Sequence, residues 1–512
     1  MATLQDNAGS VIRLSPTDNV GVARSDIIVG AVIGHGLTAL QPIPRGHKIC
    51  LSDIAAGATV VKYGQPIGIA MAAIRAGEHV HLHNLAMREG MQRWEAAAAL
   101  LGARELAQPV PRTFNGYLRA DGRVGTRNFI AIISSVNCSA TVSRRVAEHF
   151  NRPEGLSGHP NIDGVVALTH GSGCAMNTQS EGYHILRRTL QGYARNPNVG
   201  GVLMIGLGCE TNQVSRILED YGLEEGPALR TLVIQNAGGT RRSIEAGCEL
   251  LSGMLGAVDA CRRSPQALSH IRVGLQCGGS DGYSGISANP ALGCAMDRLV
   301  SHGGTAVLSE TPEIYGAEHL LTRRAATPEV AAKLMARIQW WLEYTASNGA
   351  EMNNNPSHGN KEGGLTTILE KSLGAVAKGG STALRAVYEY AEQVTGSGLV
   401  FMDTPGYDPV SATGQIAGGC NIICFTTGRG SVSGFKPVPC IKIATNTPLF
   451  QHMSEDMDID CGTIITGEQD VDGAGEAIFE HIVKVASGEK TKSEIYDYGD
   501  DEFVPWQLGA IT

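Results

Sequence analysis

The sequence lacks any apolar stretch that reaches the roughly 20 residues needed to cross a membrane. Its first residues, MATLQDNAGS, lack the charged segment followed by an apolar segment that is typical of a secretory signal. It has no cluster of lysine and arginine, and its formal net charge of -9 argues against a nucleic-acid-binding surface. These absences predict a cytoplasmic protein that binds neither membranes nor nucleic acids.

Two familiar motifs are also missing. No cysteines have the close C-x-x-C spacing of zinc and redox motifs, and the sequence GLGCE at 206–210 lacks the G-x-G-x-x-G spacing that seats a pyrophosphate. A dinucleotide is therefore disfavoured. The 12 cysteines, without a signal segment, predict reduced thiols that are small buried side chains or metal ligands rather than disulfides.

One pattern recurs four times: an apolar run followed by a cysteine. The runs are IAIISSVNC, VVALTHGSGC, VLMIGLGCE and IRVGLQC, and their cysteines are Cys138, Cys174, Cys209 and Cys277. If the runs are parallel strands, their carboxyl ends lie on one edge, where ligands of open α/β sheets bind. The pattern predicts that the four thiols converge in space.

The length and the local patterns predict a multidomain α/β protein. Residues 1–95 alternate short β-like runs with Gly/Pro turns and predict a small β-rich domain. A helix-like segment at 91–101 leads into a proline-bearing linker, 96–112. Residues 113–265 and 266–512 form two further α/β regions with mainly parallel sheets, the latter predicted to be catalytic.

Strand and helix patterns alternate through both α/β regions, which predicts right-handed crossovers. In the first region the predicted strands are 129–134, 164–168, 201–205 and 230–234, and the predicted helices are 141–150, 182–193 and 241–258. In the second the predicted strands are 306–309, 398–402, 421–425 and 441–444, with a helix at 328–344.

Three histidines stand at alternating positions near the end of the first domain. His79, His81 and His83, followed by Asn84, would lie on one face of a strand. This spacing predicts a shared ligand site, and a solvated strand face is the simpler alternative.

Motifs along nearly the whole chain resemble the altronate/galactarate dehydratase family. They are RGHK at 45–48, KYGQPIG at 62–68, HVHLHN at 79–84, VGTRN at 124–128, IGLGCE at 205–210, CGGSD at 277–281, SANP at 287–290, NPSHGNKEGG at 355–364, TTGRG at 426–430 and KIATN at 442–446. The resemblance implies an N-terminal SAF-type domain, α/β regions and an iron-dependent hydro-lyase. The HVHLHN motif favours the altronate branch.

Dehydration of a sugar acid removes a proton α to a carboxylate and expels a β-hydroxyl, to give a 2-keto-3-deoxy acid. A metal ion can stabilise the enolate-like charge and activate the leaving hydroxyl. Two sites can hold the implied iron. The four thiols suit an iron–sulfur cluster, whereas His79 and His81 suit a mononuclear Fe²⁺ or Mn²⁺.

The catalytic candidates are His170, Lys361, His81 and Glu310. An imidazole titrates near neutrality, so His170 at the predicted edge can act as the base, and a structural histidine is the alternative. Lys361 can act as base if its ammonium is desolvated, and a solvated loop lysine is the alternative.

The substrate-binding candidates offer either a carboxylate clamp or hydroxyl contacts. Guanidinium groups present a planar fork to two carboxylate oxygens, which favours Arg127 with Asn128, and Arg429. The remaining candidates for carboxylate, hydroxyl or proton contacts are Ser280, Asp281, Asn289, Asn360, His83 and Asn84.

Two alternative functions remain open. One is a dehydratase for a galactarate-like dicarboxylic acid or another α-hydroxy acid. The other is a sugar-acid-binding protein that has lost catalysis, because a fold alone does not specify a function. In either case we expect a small-molecule sugar acid as ligand and a homo-oligomeric protein.

Overall fold

The computed structural model describes residues 9–34, 36–87, 103–107 and 109–509. It confirms the predicted fold class, with an antiparallel N-terminal domain followed by α/β regions with parallel sheets. The predicted helix at 91–101 and part of the predicted linker lie outside the described residues. No helix in the described part of the chain is both long and apolar enough to span a bilayer.

The N-terminal domain consists of two small antiparallel sheets. One has the order β1-β2-β3-β6 and the other the order β4-β5-β7. The strands are β1 Val11–Ile12, β2 Val20–Ala23, β3 Lys48–Cys50, β4 Thr59–Lys62, β5 Gln65–Ala70, β6 His79–Val80 and β7 Leu85–Ala86.

The predicted histidine strand was wrong in its extent. Strand β6 ends at Val80, and His81 and the residues after it form a turn. The Asn84 side chain stabilises this turn, because its Oδ1 accepts from the His81 backbone N–H at 2.9 Å and its Nδ2 donates to the His79 carbonyl at 2.9 Å. An asparagine that bonds to its own local backbone favours turns over strands.

The second region contains a four-stranded parallel sheet of order β11-β10-β12-β13 and a small antiparallel sheet of order β14-β8-β9. Its strands are β8 Thr113–Leu118, β9 Val124–Gly125, β10 Phe129–Ser134, β11 Gly164–Leu168, β12 Val199–Gly206, β13 Leu229–Val233 and β14 Arg263–Ala267. Its helices are α1 Ala140–Phe150, α2 Glu181–Ala194, α3 Val214–Tyr221, α4 Ile234–Ala237 and α5 Thr240–Asp259.

Strand β10 shows why this sheet is sandwiched between helices. All of its residues are buried, so neither face meets water, as in parallel sheets covered on both sides. Ile130 and Ile132 pack with residues of α1 and α5, whereas Ala131 and Ile133 pack with residues of α2.

The third region contains a seven-stranded parallel sheet of order β17-β18-β16-β15-β19-β20-β21. Its strands are β15 Arg272–Cys277, β16 Thr305–Leu308, β17 Leu384–Tyr388, β18 Gly398–Met402, β19 Ile422–Thr427, β20 Cys440–Ala444 and β21 Ile459–Asp460. Its helices are α6 Ala288–Ser301, α7 His319–Thr322, α8 Pro328–Ser347, α9 His358–Glu362, α10 Ile368–Ala375, α11 Asp408–Ala417, α12 Thr447–His452, α13 Thr463–Thr466, α14 Val471–Ala486 and α15 Lys492–Ile495.

The chain reverses its direction of travel across this sheet between β15 and β19. From β15 it continues to β16 on one side, and from β19 it continues to β20 on the other side. A crevice forms outside the carboxyl ends of two such strands, and ligands of open α/β sheets bind there. The topology therefore places a candidate site after Cys277 and Thr427.

The N-terminal domain shares a hydrophobic core with the third region. Ile67 and Val80 belong to the same buried cluster as Leu373 of α10 and Leu275 of β15. The domain is therefore packed against the seven-stranded sheet and its helices, and its polar loops lie at the carboxyl edge of that sheet.

Candidate active site

A cleft of about 250 Å³ lies at the carboxyl edge of the seven-stranded sheet. Asp281 follows β15, Arg429 follows β19 and Asn446 follows β20, so three adjacent strands supply one wall. Arg45 and His47 of the N-terminal domain also line the cleft. The sheet topology and the domain packing together form this cleft.

Main-chain contacts hold the N-terminal domain over the cleft. A Cβ atom at either Gly282 or Gly364 would overlap the carbonyl oxygen of Gly46. The Tyr283 hydroxyl donates to the Ala23 carbonyl at 2.7 Å. Glycine is required at 282 and 364 because the two chain segments approach each other through backbone atoms.

Asp281 connects the loops that follow β15 and β20. Its carboxylate accepts from the Tyr283 backbone N–H at 3.1 Å, the Ser284 hydroxyl at 3.0 Å and the Thr445 hydroxyl at 3.0 Å. Asn446 Nδ2 also donates to it, at 3.3 Å. Burial raises the pKa of Asp281, although these hydrogen bonds favour its charged form. Asp281 thus organises one wall of the cleft.

Two arginines, Arg45 and Arg429, line the cleft. Arg429 is 46% exposed and its Nη2 lies 3.1 Å from the Glu362 carboxylate. The backbone N–H of Arg45 donates to Asp26 at 2.9 Å, and its exposed side chain lies at the cleft. Guanidinium groups bind carboxylates through paired N–H donors, so the cleft can receive an anionic ligand.

Three histidines converge beside the cleft, and we call His47, His79 and His81 the histidine group. His47 Nδ1 lies 3.0 Å from His79 Nε2, and the ring centroids of His47 and His81 are 4.9 Å apart. One ring nitrogen from each residue lies within 4.8 Å of the others, close enough to bind one metal ion. His47 Nε2 is 3.0 Å from the Glu362 carbonyl, which leaves Nδ1 facing the group.

Burial favours the neutral form of each member of the histidine group. Burial, together with nearby imidazoles and Lys48, lowers the pKa of His79 to about 3 and of His81 to about 4. Burial also lowers the pKa of His47. His81 Nδ1 is buried without a hydrogen-bond partner in the described part of the chain. Neutral imidazoles with available lone pairs are metal ligands, so the residues present fit a divalent ion.

A buried ionic triad joins the N-terminal domain to α10 next to the histidine group. Glu370 of α10 pairs with Lys48 at 2.8 Å and Lys62 at 2.9 Å, and all three side chains are almost fully buried. Burial opposes ionisation of Glu370, but the two ammonium groups outweigh it and hold its pKa well below the usual range. Burial lowers the pKa of Lys48 to about 8. Loss of one partner would leave an unpaired buried charge.

Cys277 lies in a different environment from the other three predicted cluster ligands. It ends a strand of the seven-stranded sheet, is buried, and has Lys378 Nζ at 2.8 Å from its sulfur. Lys378 also pairs with Glu310 at 3.0 Å. Burial raises the pKa of Glu310 to about 7 despite this lysine, and raises that of Cys277 above its usual range. Cys277 and Glu310 therefore belong to an enclosed polar cluster whose ammonium group already supplies a cation.

The other three cysteines follow adjacent strands of the second region. Cys138, Cys174 and Cys209 come after β10, β11 and β12, and all three are exposed. We call these three residues the cysteine edge. The parallel strands confirm the predicted common edge for these three, whereas Cys277 lies at the edge of another sheet.

His170 lies near the cysteine edge but has both ring nitrogens occupied. Nε2 contacts the Ser134 carbonyl at 2.9 Å and Nδ1 contacts the Ser172 hydroxyl at 3.1 Å. Burial lowers its pKa to about 4. Its catalytic role stays a prediction, but these contacts match the structural alternative.

Arg127 and Asn128 are not available as a carboxylate clamp. The five N–H donors of Arg127 are used by Glu494 and by the carbonyls of neighbouring loops, with Nε 2.5 Å from Glu494 Oε1. The Asn128 amide donates to the Asn161 carbonyl at 2.7 Å and accepts from Arg119 at 2.8 Å. Both residues join segments of the fold, which corrects their predicted substrate contacts.

Two of the three buried polar residues predicted to contact substrate, Asn289 and Asn360, have structural partners for their side chains, whereas Ser280 does not. Asn289 donates to the Gly374 carbonyl at 3.0 Å and accepts from Thr426 at 2.6 Å. Asn360 caps α9 and donates to the Ser280 carbonyl at 2.9 Å. The Ser280 hydroxyl is buried without a partner in the described residues, so it keeps a free donor near the cleft.

Lys361 and His83 lie near the cleft and the histidine group. Lys361 is partly buried on α9, next to the cleft residue Glu362. His83 is exposed, and its ring centroid is 5.4 Å from that of His79. Their predicted roles in proton transfer and substrate binding stay predictions.

The sequence patterns missed several residues of the cleft. His47 and Arg45 lie in RGHK and Asn446 lies in KIATN, two motifs that carried the resemblance without suggesting a role for these side chains. Glu370 had no local signal, because its two lysines are more than 300 positions away. Strand spacing finds an edge, but it does not say which loops of another domain lie over it.

Comparison with known families gives matches along most of the chain. Residues 9–88 match the altronate/galactarate dehydratase SAF domain. Residues 116–259 match the D-galactarate dehydratase/altronate hydrolase second domain, and residues 268–511 match the D-galactarate/altronate dehydratase C-terminal domain.

Curated relatives match over almost their full length. An altronate dehydratase of Escherichia coli (strain K12) is 38% identical over 95% of this chain and 97% of its own. A galactarate dehydratase (L-threo-forming) of the same organism is 37% identical over 94% of this chain and 93% of its own. The beta subunit of a (2R)-sulfolactate sulfo-lyase of Chromohalobacter salexigens is 32% identical over 78% of this chain and 98% of its own.

Proposed function

The chain belongs to the D-galactarate/altronate dehydratase family, and on this premise we propose that it dehydrates an altronate-like aldonate to a 2-keto-3-deoxy acid. The enzyme is a sugar-acid dehydratase, and therefore a hydro-lyase. The proposal about the substrate rests on the altronate dehydratases among its relatives.

The observation that carries the proposal is the juxtaposition of guanidinium groups and neutral imidazoles at one cleft. Arg45 and Arg429 line the cleft, and His47 belongs both to its wall and to the histidine group. We assign the substrate carboxylate to the arginines, because a guanidinium group holds two oxygens in a fixed plane. The sugar hydroxyls then lie near Asp281, Asn446 and the histidines.

We propose that the histidine group holds a single Fe²⁺ or Mn²⁺ ion. Three ring nitrogens within 4.8 Å of one another and the low pKa values of His79 and His81 support this assignment. Such an ion supplies Lewis acidity, which stabilises enolate-like charge and activates a leaving hydroxyl. The contact between His47 Nε2 and the Glu362 carbonyl fixes the tautomer of His47 and keeps its Nδ1 directed at the histidine group.

The remaining steps fall to the protein itself. The arginines orient the acid so that its α-proton faces the proton acceptor, and the N-terminal domain limits access of water from above. Lys361, on the helix that supplies Glu362, is our candidate acceptor. The predicted cytoplasmic location and homo-oligomeric state stay predictions.

A dicarboxylic acid is the second candidate substrate. Arg45 and Arg429 both line the cleft, so it can offer one cationic group to each carboxylate of a galactarate-like acid. The galactarate dehydratase relative supports this alternative. A binding protein without catalysis would hold the same acids but release no water.

The decisive experiment measures keto-acid formation from a panel of aldonates and dicarboxylic sugar acids, under anaerobic conditions with added Fe²⁺ or Mn²⁺. We expect altronate to react fastest. The absence of keto acid from every member of the panel, with binding retained, would establish the binding-protein alternative.

The metal assignment is tested with His79→Ala and a matched control, His149→Ala, which changes an exposed histidine outside the cleft. We expect His79→Ala to lower bound Fe²⁺, measured by elemental analysis, and to reduce kcat by at least about 100-fold. The control variant should keep the wild-type content of bound Fe²⁺ and the wild-type kcat. Unchanged metal content in His79→Ala would refute the assignment.

A further inference from the structure

The cysteine edge differs from every other cysteine in the chain. Of the 12 cysteines in the sequence, only Cys138, Cys174 and Cys209 are exposed. Free cysteine is among the most buried residue types, because its thiol behaves as a small hydrophobic group. Three exposed thiols at one sheet edge therefore call for a role other than packing.

The loops that carry these thiols are locked to one another. The Asn137 backbone N–H donates to the Ser172 carbonyl at 3.0 Å, which joins the Cys138 and Cys174 loops. The Asn212 backbone N–H donates to the Gly173 carbonyl at 3.0 Å, and its side chain donates to the Ser135 carbonyl at 3.0 Å. These bonds join the Cys209 loop to the other two, so the three thiols are held on one rigid platform.

The backbone around the thiols is strained. Ala175, directly after Cys174, has a φ of 55°, in the left-handed region that residues with a Cβ rarely adopt. A Cβ at Gly173, directly before Cys174, would overlap the Ser135 carbonyl. Surrounding contacts must hold a strained backbone in place, and strained residues are concentrated at functional sites.

The three thiols do not form a compact set of ligands for a single tetrahedral ion in the described structure. In the described residues, the cysteine edge is not among the groups whose ligand atoms all lie within 4.8 Å of one another. Ligands of one zinc ion, with Zn–S bonds of about 2.3 Å, lie closer together than that. A larger group with several metal atoms fits more widely spaced thiols.

A cavity of about 340 Å³ lies beside the edge. It is lined by Asn137, next to Cys138, and by His170 and Gly171, which precede Cys174. Arg144 supplies a cation, with its Nη2 3.1 Å from the Thr169 hydroxyl. No residue lines both this cavity and the cleft at the histidine group.

We propose that Cys138, Cys174 and Cys209 bind a [4Fe–4S] cluster as thiolates, at a site separate from the histidine group. Thiolates are soft ligands that select iron–sulfur clusters over hard ions, and each thiol releases one proton when it binds. Three protein ligands would leave one iron of the cluster without a cysteine ligand. Binding of the cluster at this site does not depend on the proposed dehydration.

The test is anaerobic reconstitution of the full chain with ferric iron, sulfide and a thiol reductant that supplies the two electrons each cluster needs, followed by gel filtration. Wild-type protein should acquire broad visible absorption and about four iron and four sulfide per chain. Cys174→Ser should lose at least about half of the absorption and the sulfide. The matched control, Cys248→Ser, changes a half-buried thiol on α5 and should behave as wild type.

Two outcomes would overturn the proposal. One is wild-type protein that retains no sulfide after reconstitution, and the other is a Cys138→Ser, Cys174→Ser, Cys209→Ser triple variant that retains as much as wild type. Far-ultraviolet circular dichroism of each variant separates loss of ligands from loss of fold. His79→Ala should keep the cluster, and its loss there would refute the separation of the two sites.

Discussion

The cleft at the histidine group and the cysteine edge occupy equivalent places in two different sheets. Each lies after the carboxyl ends of parallel strands. The cleft is covered by the N-terminal domain and lined by charged groups and imidazoles, whereas the cysteine edge is exposed and carries thiols. The comparison teaches that a sheet edge provides a location, and the loops that meet there decide which ligand it can hold.

The largest expected effect comes from displacing the N-terminal domain from the cleft. A Cβ in Gly282→Ala would overlap the Gly46 carbonyl, so the N-terminal domain must shift away from the cleft. A misplacement of about 1 Å can cost about 100-fold in rate, and we expect kcat/KM to fall at least that much. Gly359→Ala is the matched control, because nothing lies within 4 Å of its Cβ position. Equal activity of the two variants would show that catalysis does not require the N-terminal domain to pack closely over the cleft.

A pair of arginine variants separates ligand binding from folding. Arg429→Ala should raise KM by about 10-fold or more with little loss of stability, because its ion pair with Glu362 is half exposed. Arg127→Ala breaks a buried ion pair with Glu494 and should destabilise the fold by about 3 kcal/mol, with KM unchanged. Steady-state kinetics and urea unfolding measure both effects. A raised KM in Arg127→Ala would contradict our assignment.

The cysteine edge should be acid-labile through His170. Burial lowers the pKa of His170 to about 4 in the folded protein, below its ordinary value. The folded state therefore resists protonation, so its stability is fully present above the ordinary pKa and is lost as pH falls toward about 4. We expect a fall of at most about 3 kcal/mol between about pH 7 and about pH 4.

His170→Gln removes this titration and should flatten the pH dependence of urea unfolding. The His149→Ala control should keep the wild-type profile, because that histidine is exposed. Parallel profiles for wild type and His170→Gln would mean that other groups cause the acid lability.

The smallest effect is expected for the thiols without bound metal. Cys138→Ser in iron-free protein should change stability by less than about 0.5 kcal/mol, because the thiol is exposed. Equilibrium unfolding under reducing conditions measures this value. A loss of several kcal/mol would indicate a packing role for Cys138 and would weaken the contrast between the two regions.

Most strands of the two parallel sheets could be predicted because their signals are local, whereas β17, β21 and the small antiparallel sheet β14-β8-β9 were not predicted. Strands β10, β11 and β18 have the predicted bounds, since each is a short apolar run flanked by turn residues. The histidine turn was missed because Asn84 competes for the backbone of its own segment. Local alternation did not reveal that competition.

The composition of the cleft could be predicted only in part. Asp281 and Arg429 were among the predicted substrate-binding residues, and both line the cleft. Arg127 was misassigned, since its partner Glu494 is 367 positions away and no local pattern reports such a pairing. His47 was missed for the same reason, because its neighbours His79 and Glu362 come from distant segments.

The glycines at the roof of the cleft have a consequence for how the enzyme can change. Gly46, Gly282 and Gly364 hold the two domains together through main-chain atoms, which are the same whatever side chains surround them. Residues such as Arg45 and Asn446 are therefore free to vary without loosening the attachment. New substrate preferences can arise within one scaffold by exchange of a few cleft side chains.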